Sequence, residues 1–513
     1  MAADEPVVAV RHRSLALVVV CFAIFISTVD ATVVNVALPD ISADLGATTA
    51  ELQWVMDSYT IALAGLVLLG GGLADHFGRK RVFCLGLALF AATSLLATFA
   101  SSPPALITYR AGMGIAAALI FPPALSLIAV IFPPKERRRA IAIWSLVAGI
   151  GVAMGPVIGG ALIDSFWWGS AFLVNVPVTL GGLVGAIVLL PESRRPGAPR
   201  LDMIGAVLSV LALAGVVYAV IEGPHSGWTE PDIVAGLAIG LLALAGFVSH
   251  ELRHPDPLFD VRVLAKPVVL AGFVTLLLFY VAFFGVEFVV PQYLQSVEGR
   301  SAIAAGLLML TVGVLNPPAS LLTPRLMERF GPGRLLVASL SGVGAGAFVV
   351  SLLGVLSGTL VVVLGLLLIG ACLGLGFPPA TAAVMNALPV EKAGDGSAVN
   401  QVGRQVGAAL GIALIGSVLA GVYSSEVGPA TTRLTDAQAQ AADSSIEGAQ
   451  TAAGELSGSR ATALVDAADD AFERASQVSL WTITGVGIAG ALFVFVLLRG
   501  SPAMRPIAPG SDS

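Results

Sequence analysis

Three ionisable residues stand well inside long apolar runs: Asp30, Arg110 and Glu287. Burying a charge in lipid is costly, so an ionisable side chain within such a run is read first as functional. A carboxylate held in a low-dielectric span can load and lose a proton near neutral pH. An arginine cannot deprotonate, which leaves it to pair with an acid or to expel its proton. None of the five histidines (His12, His76, His225, His250, His254) falls in an apolar run, so carboxylates must carry any proton. The bland alternative is a snorkelling or structural charge. It weighs most on Glu287, placed toward the outer end of its run, within reach of the interface.

Two glycine-rich segments suggest mechanics. Residues 71–81 run Gly71-Gly-Leu-Ala-Asp75-His-Phe-Gly78-Arg79-Lys80-Arg81. Glycine allows a tight turn, and Asp75 can pair with arginines or a helix N-terminus on a facing bundle, a latch holding one conformation. A basic loop that merely anchors topology is the alternative. Residues 151–160 hold Gly151, Gly155, Pro156, Gly159 and Gly160. Those glycines let helices approach closely and the proline kinks one, which a plain packing face would also need.

Positioning such groups requires a membrane. Of the 513 residues, 56% are hydrophobic and 12% charged, against about 25% charged in soluble domains. The mean hydropathy is +0.91. Apolar stretches able to span occur near 14–38, 52–73, 82–100, 104–132, 140–163, 170–190, 203–221, 232–249, 267–290, 302–324, 335–354, 357–388, 397–420 and 479–498. The first, after Arg11 and Arg13, is too long for a signal peptide and is expected to be retained. With an even count, and both termini inside, 22 of the 27 basic residues fall on the cytoplasmic side. Only Arg300, Arg433, Arg460 and Arg474 fall outside, and Arg110 stays within a span.

Residues 421–477 hold nine acids against three arginines, a balance of −6 that equals the net charge of the chain. This acidic, Ala-rich stretch lacks strong apolar faces and reads as a solvated cap or a disordered outer loop. Nothing in the charge argues for nucleic acid. Cys21, Cys84 and Cys372 lie in apolar runs, so no disulfide is expected. The four lysines are not followed by Ser or Thr, which removes a phosphate loop and ATP. No metal-ligand cluster and no nucleophile–base pair is legible, so neither an enzyme nor a cofactor is expected.

The chain repeats itself. At an offset of 256, Gly114/Gly370, Pro122/Pro378, Pro123/Pro379, Pro133/Pro389, Gly151/Gly407, Gly155/Gly411 and Gly160/Gly416 coincide. At 253, Gly78 pairs with Gly331 and Arg81 with Arg334; at 252, Pro39 pairs with Pro291 and Asn35 with Glu287. Chance among Gly- and Pro-rich helices is the competing account, but gapless identities speak against it. Spans 1–6 map onto 9–14 in one orientation, which is the parallel two-bundle plan of a large transporter class. The expected organisation is a tail at 1–13, a six-helix bundle at 14–190, two inserted helices within 191–265, a second bundle at 266–498 that includes the acidic outer loop at 421–478, and a tail at 499–513.

The motifs resemble the major facilitator superfamily, and within it the fourteen-spanner drug:proton antiporters of the EmrB/QacA type. The resemblance is carried by the 71–81 loop and by Asp30-Ala-Thr32-Val-Val-Asn35-Val-Ala-Leu-Pro39. Arg110-Ala-Gly-Met-Gly114 departs from the family pattern at Met113, where glutamine is common. Gly151 to Gly160, Phe172 to Pro177 and Gln292-Tyr-Leu-Gln295 also match. The resemblance implies an all-α fold of two six-helix bundles plus two inserted helices. It implies export of small lipophilic, cationic drugs or antibiotics by proton antiport with alternating access, from a bacterial cell membrane, as a monomer. Asp30, Arg110, Glu287 and Asn35 would serve proton and substrate; Gly71, Asp75, Gly78, Arg79 and Lys80 the latch; the 151–160 glycines and Pro156 the antiporter motif. Export of an endogenous metabolite or a self-made antibiotic, and uptake symport on the same fold, are the alternatives.

Overall fold

The computed structural model describes residues 12–195, 201–255, 257–353, 359–388 and 393–504. Arg11, Arg200, Lys392 and Arg505 of the basic set, Pro389 of the repeat and most of both tails lie outside the described residues.

Among the described residues, fourteen helices are long and apolar enough to cross a bilayer. They are span 1 (Arg13–Val36), span 2 (Thr49–Phe77), span 3 (Arg79–Thr98), span 4 (Pro103–Ile131), span 5 (Lys135–Ser165), span 6 (Ser170–Leu189) and span 7 (Met203–Ser226). Then come span 8 (Pro231–Arg253), span 9 (Pro267–Val297), span 10 (Ala302–Phe330), span 11 (Pro332–Val350), span 12 (Thr359–Met385), span 13 (Gly396–Thr431) and span 14 (Ser459–Leu498). Local chemistry sets their ends. Thr48 and Glu51 form a reciprocal capping box at span 2. Prolines open spans 4, 8, 9 and 11, where the missing N–H costs nothing. Gly78 (φ 116°) and Gly331 (φ 87°), a repeat pair, end spans 2 and 10 in a conformation closed to L side chains. Several helices outrun their apolar stretches, so His76, His225 and His250 sit in terminal turns rather than outside the helices.

The packing repeats as the sequence does. Span 1 packs on 5, 2 on 4, 3 on 4 and 3 on 6; in the second half 9 packs on 13, 10 on 12, 11 on 12 and 11 on 14. The bundles meet where span 5 lies on span 10 and span 2 on span 13. Spans 7 and 8 pack on each other, and span 7 also rests against spans 2 and 13.

Of the two forms expected for the acidic segment, a solvated cap or a disordered loop, it takes the cap, but a folded one with a buried interior. Span 13 runs to Thr431, helices Asp436–Ser444 and Ile446–Gly454 follow, and span 14 begins at Ser459. Ala442, Ile446, Ala449, Leu464 and Phe472 are buried. Tyr423 donates its hydroxyl to the carbonyls of Ala442 (3.0 Å) and Ser445 (3.2 Å). Thr49 Oγ1 and Ser296 Oγ reach the segment from the two bundles, at Ser444 O (2.9 Å) and Glu447 Oε1 (2.7 Å). Alanine faces bury little area each, which is why hydropathy did not reveal them. Burial raises the Glu447 carboxyl above its usual range, opposed by the Ser296 hydroxyl.

Candidate functional site

Asp30 and Arg110 meet. Arg110 Nη1 lies 2.7 Å from Asp30 Oδ2, and neither side chain has any exposure. Span 6 supplies Asn175, whose Nδ2 donates to Asp30 Oδ1 at 2.7 Å. Arg110 Nε donates to the Val55 carbonyl of span 2 at 3.1 Å, and its guanidinium lies over the rings of Tyr59 (4.5 Å) and Phe172 (5.9 Å). Four spans thus hold one ion pair in a dry site, where a charge-assisted contact is strong and an unpaired charge very costly. Asn175 was passed over as part of a familiar-looking segment. A polar amide three residues after Phe172, in an otherwise apolar run, was the available signal.

Asn35 and Glu287, matched by the repeat, touch across the bundles: Asn35 Nδ2 donates to Glu287 Oε2 at 3.1 Å. Glu287 is 2% exposed, which corrects its reading as an accessible residue near the outer interface. The sequence places it near the end of an apolar run, but span 9 continues to Val297 and the acid faces span 1.

The count of intramembrane charges also needs correction. Asp57 of span 2 has no exposure, and neither of its carboxylate oxygens has a hydrogen-bond partner. One turn earlier, Gln53 faces span 13, where Ser417 Oγ lies 3.5 Å from Gln53 Oε1. Glu222 of span 7 accepts from Trp54 Nε1 at 2.8 Å. Asp57 sits in its apolar run as plainly as Asp30 does, so the signal was there and was missed.

The glycines of span 5 make two seams. A Cβ on Gly151 or Gly155 would overlap Thr28 Oγ1 or Thr32 Oγ1 of span 1, and one on Gly159 would lie 2.8 Å from the Val33 carbonyl. A Cβ on Gly160 would overlap Ala302 O, and one on Gly306 would overlap the Pro156 carbonyl, across the bundle interface. The second half repeats this: Gly407 and Gly411 press on span 9, and Gly416 faces Gln53 of span 2. Asp164, at the end of span 5, accepts the N–H groups of Ala302 (3.0 Å) and Ile303 (3.1 Å) in the first turn of span 10.

Among the described residues the loop after span 2 is tied to its own bundle, where pairing with the facing bundle was expected. Arg79 donates to Asp75 Oδ1 from Nε (3.0 Å) and Nη2 (2.9 Å). Asp75 O accepts from Arg195 N, and Lys80 Nζ donates to Ile187 O at 2.7 Å. Gly78 packs close to Glu192, which pairs with Arg81 at 3.5 Å. A Cβ on Gly71 would meet Pro122 at 3.5 Å, an ordinary contact. The local sequence offers Asp75 an arginine one turn away, and that partner wins in this conformation.

The bundles are therefore held together at the end distant from the termini. At the other end a cavity of about 840 Å³ lies between spans 1 and 5. Leu17, Cys21, Phe22, Phe25 and Val147 give it apolar walls, with Glu136 and Arg139 at its rim. A second cluster, Asp202, His250 and His254, also forms, although no metal-ligand set was legible in the sequence.

Two bundles of like packing built from membrane-length helices, with an ion pair buried inside the first, define a membrane transporter. The model of the Major Facilitator Superfamily matches residues 20–412, and the chain belongs to that family. It is 32% identical to the multidrug efflux pump LfrA of Mycolicibacterium smegmatis, over 94% of this chain and 96% of LfrA. It is 40% identical to the cephamycin export protein CmcT of Amycolatopsis lactamdurans, over 78% of this chain and 84% of that protein. In fold it is similar to a bacterial homologue of the human lysosomal transporter Spinster, inward-facing and unoccupied. That likeness has a TM-score of 0.66 at 18% identity and covers 96% of this chain and 98% of the other. The protein is a multi-pass protein of the bacterial cell membrane.

Proposed function

We propose that the protein exports small lipophilic molecules, cationic drugs or antibiotics among them, by proton antiport with alternating access. The observation that carries this reading is the Asp30–Arg110–Asn175 cluster, a carboxylate with both oxygens engaged and no exposure. A proton arriving at Asp30 must displace Arg110, and an approaching cation competes for the same carboxylate. That competition is what exchange of substrate for proton requires. With the termini in the cytoplasm, as the basic residues imply, the cavity between spans 1 and 5 lies toward the inner side, and its apolar walls suit a lipophilic guest. The span 5 glycines would seal the path during exchange, and the Asp75–Arg79 loop would re-pair with the facing bundle when the cytoplasmic end closes. No covalent step on the substrate is needed. The names of the relatives above, an efflux pump and an antibiotic exporter, favour export over uptake and leave a self-made antibiotic as the second reading. The test is substrate-driven proton release from everted vesicles. Cationic dyes are expected to discharge a pre-formed proton gradient, and co-uptake of proton and substrate in right-side-out vesicles would overturn the reading.

Glu287→Gln is expected to weaken export of divalent cations by about tenfold and to spare neutral substrates. The glutamine can still accept from Asn35, but it loses the charge that a desolvated cation would meet, worth about 1–3 kcal/mol. Resistance to a monovalent dye, a divalent cation and a neutral antibiotic would be compared. Equal loss for all three would assign Glu287 to coupling instead.

Asp57→Asn is expected to lower cation export by roughly tenfold with little change in thermal midpoint, because no hydrogen bond is removed. Proton release per dye exported is the deciding measurement. An unchanged ratio and unchanged export would leave Asp57 a bystander.

A further inference from the structure

Away from the ion pair, span 8 ends in His250-Glu251-Leu252-Arg253, and His254 follows as its C-cap in extended backbone. The chain turns out of the helix so that the His250 and His254 rings lie 5.1 Å apart between centroids. Span 7 begins beside them. Asp202, 4% exposed, caps its first turn by accepting from Gly205 N at 2.8 Å. His250 Nε2 lies 2.9 and 3.0 Å from the two Asp202 oxygens. One ligand atom from each of Asp202, His250 and His254 falls within 4.8 Å of the others. A tetrahedral zinc needs its ligand atoms about 3.3 Å apart, so small side-chain adjustments close the set.

A separate observation points to a cation. Glu251 has no exposure, and its Oε1 has no hydrogen-bond partner. A Cβ built on Gly205 would lie 2.6 Å from Asp202 Oδ2 and 2.8 Å from Glu251 Oε1, so the two carboxylates converge on one point. Protonated imidazoles would offset these charges only by charging both rings side by side, whereas a divalent ion offsets both acids and leaves the imidazoles neutral as ligands. The nearby guanidinium of Arg262 turns instead to the Leu252 carbonyl. A hydrolytic role for this spacing is disfavoured, because Glu251 Oε2 already accepts the Phe259 N–H at 3.1 Å and the acid is closed to any substrate.

We infer that the protein binds one divalent transition-metal ion, zinc by its imidazole–carboxylate donor set, through Asp202, His250 and His254, with Glu251 alongside. The ion staples the start of span 7 to the end of span 8. Through Glu251 and Phe259 it also stiffens the connection into span 9, and so the link between the two bundles. This site takes no part in the proposed exchange, and its test does not depend on transport.

Tag-free, full-length protein in nanodiscs would be stripped with chelator and titrated with Zn²⁺ and with Co²⁺. The expected result is one ion per chain, a tetrahedral Co²⁺ absorption band, and a thermal midpoint that rises with zinc. His254→Gln leaves the His250–Asp202 contact in place. It is expected to bind at least about 100-fold more weakly, while Glu251→Gln weakens binding by about 10–100-fold. Wild-type protein without the cobalt band would overturn the proposal. So would His254→Gln with unchanged affinity, which would leave a His250–Asp202 pair that only caps span 7.

Discussion

Asp30→Asn is expected to reduce substrate-driven proton release and dye efflux to background while the protein still reaches the membrane. Both carboxylate oxygens are committed, one to Arg110 and one to Asn175. An amide keeps the shape but turns an N–H toward one of these two donors, and it cannot carry a proton between states. It also leaves the buried Arg110 guanidinium without a countercharge. Removing one member of a buried pair costs about 3–5 kcal/mol, so a lower thermal midpoint should accompany the lost activity. Arg110→Lys separates the two effects, because it retains charge. A lysine cannot hold Asp30 and the Val55 carbonyl together as the guanidinium fork does, and exchange should fall at least about tenfold. Dye efflux and membrane abundance would be measured together. Full efflux by Asp30→Asn at normal abundance would remove Asp30 from the proton path.

Gly155→Val should be as severe by a different route. A Cβ at this position overlaps Thr32 Oγ1, and the Val29 carbonyl lies 2.9 Å from it. Span 5 would have to move away from span 1, and overpacking of this kind costs about 1–3 kcal/mol. Gly411→Val provides the control, since Gly411 meets the Val281 carbonyl of span 9 at 2.6 Å in the equivalent place. If span 5 forms a seal, Gly155→Val abolishes efflux and lets protons leak through vesicles. Gly411→Val would then lose stability without the leak. Equal behaviour in both variants would reduce the motif to packing.

Much of this molecule is legible in one dimension. Lipid requires helices with internally satisfied backbones, so apolar run length alone counted fourteen spans. The repeat foretold that spans 1 and 5 pack as 9 and 13 do, because glycines at equal offsets permit equal approach. It also matched Asn35 with Glu287, which the fold joins at 3.1 Å.

Partners were decided elsewhere. Asp30 and Arg110 are 80 positions apart, and Asn175 lies 145 from Asp30. Only helix packing makes them one site, since a side chain's partner depends on the neighbouring helices and not on its own run. The same holds for Asp75, which the turn at Gly78 brings onto Arg79 at the start of the next helix. Asp202 and His250 meet because spans 7 and 8 form an antiparallel pair whose ends coincide. The acidic cap folds because alanine faces too weak to register in hydropathy become close-packed once spans 13 and 14 fix their ends. The sequence by itself determined the spans, their repeat and the kinds of chemistry available; tertiary packing decided which of those groups share a dielectric and a distance short enough to act together.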